Sequence, residues 1–186
     1  ALFQEAFCMG LLRDHTAKIN IMKQLINRYP QSAYCDDAYF EIARAYVAQN
    51  QLDDAIYNFK LVKERYPKGT LAPKAMLQLG LLYYNRSDYD NSMTFYKRVV
   101  SEYPRTAEAT EALAGLRNVY MDKSDFDGYL SYAATLGDFA RLDNGEQDSL
   151  LYVSAERLYL RSDFKSALPA FQKYLQALPG GRFALN

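Results

Sequence analysis

The dipeptide Tyr-Pro recurs at a constant spacing, and this regularity limits the possible folds more than any other feature of the chain. Its three copies are Tyr29-Pro30, Tyr66-Pro67 and Tyr103-Pro104, each 37 residues after the last. A related pair, Leu178-Pro179, follows 75 residues after the third copy. A period between about 20 and 50 residues is typical of proteins that stack one supersecondary unit many times. The spacing therefore predicts that the chain is a series of repeats.

Each repeat contains two amphipathic helices. In the third repeat, apolar residues recur at intervals of three and four between Pro73 and Arg86, as on one face of a helix. Ser87 or Asp88 then offers a side-chain oxygen to the free amides of a second helix, which Pro104 ends. The helices are predicted at 1–13, 16–29, 36–49, 52–66, 73–86, 89–103, 107–122, 125–136, 147–161 and 164–178.

Small residues recur at one position of each helix, where they let the two helices of a repeat approach closely. They are Ala43, Gly80 and Ala155 in first helices, and Ala55, Ser92 and Ala167 in second helices. Together with larger residues at fixed offsets, this pattern resembles the tetratricopeptide repeat family. In the second repeat the family's positions are filled by Tyr39, Ile42-Ala43, Tyr46, Ala55, Phe59 and Pro67.

The resemblance implies an all-α fold, a right-handed α-α superhelical solenoid of about five helix pairs in a single domain, 1–186. The repeats are expected at about 1–30, 31–67, 68–104, 105–146 and 147–179. Residues 180–186 repeat the opening of the third repeat, so we expect the chain to be a fragment that stops inside a sixth. That would leave an uncapped apolar end around Tyr159, Phe171 and Leu175.

Two repeats depart from the pattern. The fourth carries Arg117 at the small position, Tyr129 at the alanine position and Ala133 at the aromatic position, an exchange that could conserve the local volume. A longer and looser connection is expected there between Gly137 and Gly145. The first repeat carries Lys18 at its small position, which leaves open a register shift of one residue.

The 37-residue period and the Tyr-Pro linkers resemble repeats of Gram-negative envelope proteins, such as outer-membrane-assembly lipoproteins and the periplasmic cell-division coordinator. This resemblance implies a periplasmic or outer-membrane-associated protein, with the cytoplasm as the alternative. Cys8 and Cys35 are expected about 15 Å apart along stacked helices, too far for a disulfide. We predict two free, mostly buried thiols, which count mildly against an oxidising compartment.

Composition and motifs exclude several classes of function. Lys and Arg balance Asp and Glu at 22 each, which argues against binding of nucleic acid. No apolar run approaches the ~20 residues that span a bilayer, so this chain is not expected to insert into a membrane. With one histidine, no ligand cluster and no nucleophile or phosphate-loop motif, we predict no enzyme activity, no metal and no cofactor.

The first helices of the repeats are expected to line a concave groove that binds a protein or peptide partner. By their phase in the motif, its lining residues are Phe3, Phe7, Phe40, Arg44, Val47, Leu77, Leu81, Tyr84, Asn118, Met121, Tyr152, Glu156 and Tyr159. The alternative interpretation is that these side chains have no partner to bind and simply pack between repeats. Two other functions stay open: self-association into a homo-oligomer, and binding of a glycan or peptidoglycan strand on the tyrosines.

Overall fold

The structure is a computed structural model that describes residues 1–185. Within these residues the chain forms ten α-helices and no strand. The helices are α1 (Leu2–Leu11), α2 (His15–Arg28), α3 (Cys35–Ala48), α4 (Leu52–Arg65), α5 (Leu71–Asn85), α6 (Tyr89–Glu102), α7 (Ala107–Asp122), α8 (Phe126–Thr135), α9 (Asn144–Leu160) and α10 (Phe164–Ala177). Each predicted helix corresponds to one of them, and the all-α prediction is confirmed. The predicted opening of a sixth repeat includes Asn186, which lies outside the described residues.

The turn between the two helices of a repeat has the same geometry five times. In the third repeat the Ser87 N–H donates to the Tyr84 carbonyl (2.8 Å) and the Asp88 N–H donates to the Tyr83 carbonyl (2.9 Å), which is a Schellman motif. Asp88 then caps α6 by accepting from the Asn91 N–H (3.3 Å). The residues with a left-handed backbone in these turns are Arg13, Asn50, Ser87, Ser124 and Ser162.

The first repeat is in register with the others. Its turn residue Arg13 lies 37 positions before Asn50, the same interval as the Tyr-Pro pairs. Lys18 therefore occupies the position of Ala55 in the second repeat, and it is only 8% exposed there. The alternative of a shift by one residue is wrong.

Helix α9 begins three residues earlier than predicted because a capping box forms there. The Asp143 carboxylate accepts from the Glu146 N–H (2.7 Å), and the Glu146 carboxylate accepts from the Asp143 N–H (3.1 Å). One turn of 3-10 helix at Gly137–Ala140 precedes it. The predicted connection between Gly137 and Gly145 thus consists of this 3-10 turn, an irregular segment at 141–143 and the first two residues of α9.

Small residues bring paired helices into contact, as predicted. A Cβ atom on Gly80 of α5 would lie 2.5 Å from the Tyr96 ring of α6. The Ser92 hydroxyl, also on α6, donates to the Gly80 carbonyl (2.8 Å). All six small positions named above are buried.

Contacts divide the chain into two compact units, Ala1–Ala112 and Leu113–Asn186, and α7 crosses the division. In the first unit, helices α1 to α6 each pack against the next, and α3 also contacts α5. The core of this unit has two clusters. One surrounds Met22 and Ile42, and the other surrounds Phe59 and Leu79.

In the second unit, α9 packs against both α8 and α10. The contacts that join the unit's part of α7 to these helices include a ring contact and an ion pair. The Tyr120 ring lies 6.0 Å from the Tyr129 ring of α8, and Asp122 forms a 2.7 Å ion pair with Arg157 of α9.

The two thiols are free but differ in burial. Cys35 is buried, and its thiol donates to the Tyr29 carbonyl (3.3 Å). Cys8 is exposed, so the prediction that both thiols are mostly buried is wrong for this one. Its counterpart in the second repeat, Ala45, is buried in the cluster that α3 shares with α2. No element of the described chain covers Cys8 in the same way.

Candidate functional site

The predicted groove residues of the first unit lie on α1, α3 and α5, and half of them are exposed. We call this set of eight the A-helix face: Phe3, Phe7, Phe40, Arg44, Val47, Leu77, Leu81 and Tyr84. Phe7 is 51% exposed and Leu81 is 41% exposed, although both side chains are large and apolar. Arg44 and Val47 are exposed as well. Three of the four exposed residues are therefore apolar, and the fourth, Arg44, is charged.

The other four residues of the A-helix face are half-buried, because they also pack inside the unit. The Phe3 ring stacks on Tyr34 at 5.1 Å between centroids. The Phe40 and Phe59 rings form a T-shaped pair with 5.3 Å between their centroids. The alternative interpretation, that these side chains pack between repeats, therefore holds in part. Each of the four residues packs against neighbouring side chains and leaves part of its own surface exposed to solvent.

Phe7, Arg44 and Leu81 occupy one position in three successive repeats, 37 residues apart. They consequently form a row across α1, α3 and α5, with a guanidinium between two exposed apolar side chains. Arg44 is 62% exposed in its side chain and forms a 2.8 Å ion pair with Glu41 one turn earlier.

The carboxylate of Glu41 also accepts a hydrogen bond from the buried Lys18 ammonium. Lys18 reaches it by passing over Gly10, where an added Cβ would lie 3.1 Å from the lysine Cδ. Two cations thus share one carboxylate, which leaves a net positive charge at the Arg44 end of this cluster. The cluster of Lys18, Glu41 and Arg44 was not predicted from the sequence. The signal for it was Lys18, which stands at a position that small residues occupy in other repeats and therefore needs a partner for its charge.

Charge varies along α3. Burial raises the pKa of Glu41, but the hydrogen bond and charge of Lys18, followed by Arg44, outweigh it and hold the pKa below the ordinary 4.5. At the start of the helix, burial together with the charges of Asp36 and Glu41 raises the pKa of Asp37. Helix α3 is therefore acidic in its first turn, at Asp36 and Asp37, and basic at Arg44.

In the second unit the predicted residues differ more in exposure. Asn118 and Tyr159 are exposed, and Glu156 is half-buried. Tyr152 is covered within the unit, because its ring stacks on Phe183 at 4.4 Å. Met121 is only 3% exposed, at the edge of a cleft of about 570 Å³ between α7 and α9, so it offers almost no surface to a partner.

The described residues contain no group of three or more His, Cys, Asp or Glu side chains able to hold a metal ion. His15 is half-buried at the start of α2, and its Nδ1 atom accepts no hydrogen bond there. None of the described helices has the length and apolar character needed to cross a membrane.

Comparison with known sequences identifies the repeats. A profile described as "Tetratricopeptide repeat" matches residues 1–32, 37–69 and 74–106, which together make up more than half of the chain. The chain belongs to the tetratricopeptide repeat family. Members of this family are generally non-catalytic scaffolds that bind protein or peptide partners. No curated protein sequence matches the chain at a significant level.

Solved structures of other tetratricopeptide repeat proteins share the fold. One is a tetratricopeptide repeat protein from Parabacteroides merdae, with a TM-score of 0.65 and 12% identity; the match covers 96% of this chain and 66% of that one. Another is YrrB, described as a TPR protein with an unusual peptide-binding site, with a TM-score of 0.59 and 14% identity over 96% of this chain and 86% of that one. A third is MamA (AMB-1), with a TM-score of 0.57 and 16% identity over 99% and 93%. At these identities the likeness establishes the solenoid fold.

Proposed function

We propose that this tetratricopeptide repeat chain is a scaffold whose A-helix face binds an extended peptide segment of a partner protein. The observation that carries the proposal is the row formed by Phe7, Arg44 and Leu81, in which two exposed apolar side chains flank a guanidinium. YrrB, which has the same fold, is described as having a peptide-binding site, and this supports the same use of the present chain.

The row fits a short peptide with an acidic centre. Helices pack about 10 Å apart, so two intervals span about 20 Å, which an extended peptide covers with about six residues. Apolar residues at the ends of such a segment would cover Phe7 and Leu81. A carboxylate between them would pair with Arg44, whose partner Glu41 is already held by Lys18.

The same proposal places the protein in the bacterial envelope, periplasmic or associated with the outer membrane. The support is the 37-residue period with its Tyr-Pro linkers, which resembles repeats of envelope proteins. Immunoblotting of periplasmic, membrane and cytoplasmic fractions from the source cells tests this placement. Recovery of the protein in the cytoplasmic fraction alone would contradict it.

Peptide selection tests the binding site. Random peptides of about seven residues are selected on the immobilised chain, and their dissociation constants are measured by fluorescence anisotropy. Leu81→Lys is expected to weaken binding by about tenfold or more, since it removes buried apolar area and adds a charge. Tyr57→Lys is the matched control, because Tyr57 is a 62% exposed aromatic residue on α4, outside the A-helix face.

Arg44→Glu tests the acidic centre. It is expected to shift selection from peptides with a central Asp or Glu to peptides with a central Lys or Arg, while circular dichroism shows unchanged helicity. If Leu81→Lys and Tyr57→Lys weaken binding equally, or if Arg44→Glu leaves the selected peptides unchanged, the A-helix face is not the binding site. Light scattering on the same samples tests the alternative of a homo-oligomer.

A further inference from the structure

The first repeat exchanges a large and a small residue between its two helices. Gly10 on α1 stands at the position of Val47 in the second repeat, and Lys18 on α2 stands at the position of Ala55. The two exchanges belong together, because a Cβ atom on Gly10 would lie 3.1 Å from the Cδ atom and 3.3 Å from the Nζ atom of Lys18. The lysine side chain thus uses the space that the glycine leaves.

The ammonium of Lys18 is placed inside the unit and needs a charge partner there. Lys18 is only 8% exposed, and a buried charge is strongly disfavoured unless it is paired. Its partner is the Glu41 carboxylate on α3, which accepts a hydrogen bond from the ammonium. Within residues 1–185 this is the one carboxylate with which Lys18 forms an ion pair. Both side chains are largely shielded from solvent, so salt screens their attraction only weakly.

Arg44 shares the same carboxylate from the solvent side. Its guanidinium donates to the second oxygen of Glu41 at 2.8 Å, but its side chain is 62% exposed. An ion pair that is open to water is weak, whereas the buried Lys18 holds the carboxylate where water does not compete. The charge of Glu41 is therefore balanced by Lys18, and the charge of Arg44 stays available to another anion.

We propose that Lys18 is the positioning residue that sets the charge specificity of the A-helix face. By holding Glu41, it leaves Arg44 to bind the carboxylate of an acidic residue in the partner peptide. This inference rests on the proposed binding of a peptide by the A-helix face. Lys18 is buried and does not touch the peptide. With a small residue at position 18, as in the other repeats, Glu41 would neutralise Arg44 and the face would lose its preference for acidic peptides.

A double exchange removes the ammonium with little change in packing volume. Gly10→Val combined with Lys18→Ala gives the first repeat the residues that the second repeat has at these positions, Val47 and Ala55. Circular dichroism verifies that this exchange variant keeps its helicity. Lys18→Met, which keeps the length of the side chain without its charge, provides the same comparison if the exchange variant loses helicity.

Two labelled synthetic peptides of seven residues serve as probes. Both have leucine at each end and alanine between, and their central residue is glutamate in one and glutamine in the other. Fluorescence anisotropy measures both dissociation constants, and their ratio is insensitive to changes that affect the two peptides equally. The wild-type chain is expected to bind the glutamate peptide about tenfold more tightly. The exchange variant is expected to show a ratio below about two.

A second substitution distinguishes this role from a merely structural one. Adding Glu41→Gln to the exchange variant removes the carboxylate that competes for Arg44, so the tenfold preference is expected to return. Glu41→Gln restores no packing, so a structural role of Lys18 would not produce this recovery. Lys23→Ala is the matched control, because Lys23 is an exposed lysine on the same helix. It is expected to leave the ratio unchanged.

The outcomes separate this inference from the proposed function. If the wild-type chain binds neither peptide at about 1 mM, or binds both equally, the acidic centre of the proposed function is wrong and the role of Lys18 is wrong with it. If the wild-type chain prefers glutamate and the exchange variant keeps that preference, only the role of Lys18 is overturned. The same holds if Glu41→Gln does not restore the preference, or if Lys23→Ala lowers the ratio as much as the exchange does.

Discussion

Replacing Gly80 by alanine measures how closely the two helices of a repeat approach. In the exposed interior of a helix, Gly→Ala stabilises by about 1 kcal/mol, because glycine loses more backbone entropy on folding. At Gly80 the new Cβ would lie 2.5 Å from Cε1 and 2.6 Å from Cδ1 of Tyr96. These contacts are shorter than any that carbon atoms tolerate, so the ring or the helix has to move.

The Tyr96 ring has little room to move. It is almost fully buried, and burial, followed by the charge of Tyr84, raises the pKa of its hydroxyl to about 12. The Ser92 hydroxyl also ties α6 to the Gly80 carbonyl at 2.8 Å. Overpacking of a rigid core costs about 1–3 kcal/mol, which exceeds the gain in helix propensity. Gly80→Ala is therefore expected to lower the free energy of unfolding by about 1 kcal/mol.

Urea denaturation followed by circular dichroism measures the effect. Gly145→Ala is the matched control, because Gly145 lies in the first turn of α9 and its added Cβ meets nothing closer than 3.4 Å. It is expected to raise the free energy of unfolding by about 0.5 kcal/mol. In a Tyr96→Leu background the clash is absent, so Gly80→Ala should become stabilising there. If Gly80→Ala stabilises the wild-type chain as much as Gly145→Ala does, the reasoning from close approach is wrong.

Three further predictions concern turns, caps and charge. Ser87→Gly is expected to raise the free energy of unfolding by about 0.5–1 kcal/mol, because serine is strained at a φ of 60°. Gln24→Gly, in the exposed interior of α2, is the control and is expected to lower the free energy of unfolding by a similar amount. If urea denaturation shows that both substitutions change the free energy of unfolding in the same direction, the prediction is wrong. Asp125→Ala removes the acceptor of the Gly128 N–H and is expected to lower the free energy of unfolding by about 1 kcal/mol in urea denaturation. Asp125→Asn keeps a side-chain oxygen at this cap and is expected to recover most of that stability. Because the pKa of Glu41 is lowered in the folded protein, its carboxylate stabilises the fold above pH 4.5, and this stability is lost as the pH falls. Urea denaturation at several pH values should therefore show that Glu41→Gln lowers the free energy of unfolding less below pH 4.5 than above it. A loss of stability that does not change with pH would contradict this prediction.

The local structure of this chain could be predicted from its sequence because each signal acts over a few residues. Three- and four-residue spacing of apolar side chains predicts a helix, and proline and cap residues predict its ends. The start of α9 was predicted three residues too late, because the capping box of Asp143 and Glu146 was not recognised in the sequence. The small positions were predicted correctly because a 37-residue period imposes the same helix contact on each repeat.

The candidate site was less predictable because the exposure of a side chain depends on what other elements cover it. Motif phase places Leu81 and Met121 on equivalent faces, yet the first is 41% exposed and the second 3%. Tyr152 is covered by Phe183, a residue far along the chain that no local pattern pairs with it.

The sequence by itself determined the helices, their turns and the repeat family, since these follow from propensities and spacings within one repeat. Only the tertiary structure decided that Lys18 reaches Glu41 on another helix, and that Met121, which was predicted to line the groove, is 3% exposed. The physical reason is that burial and ion pairing are properties of neighbouring helices in contact, which repeat phase alone does not specify.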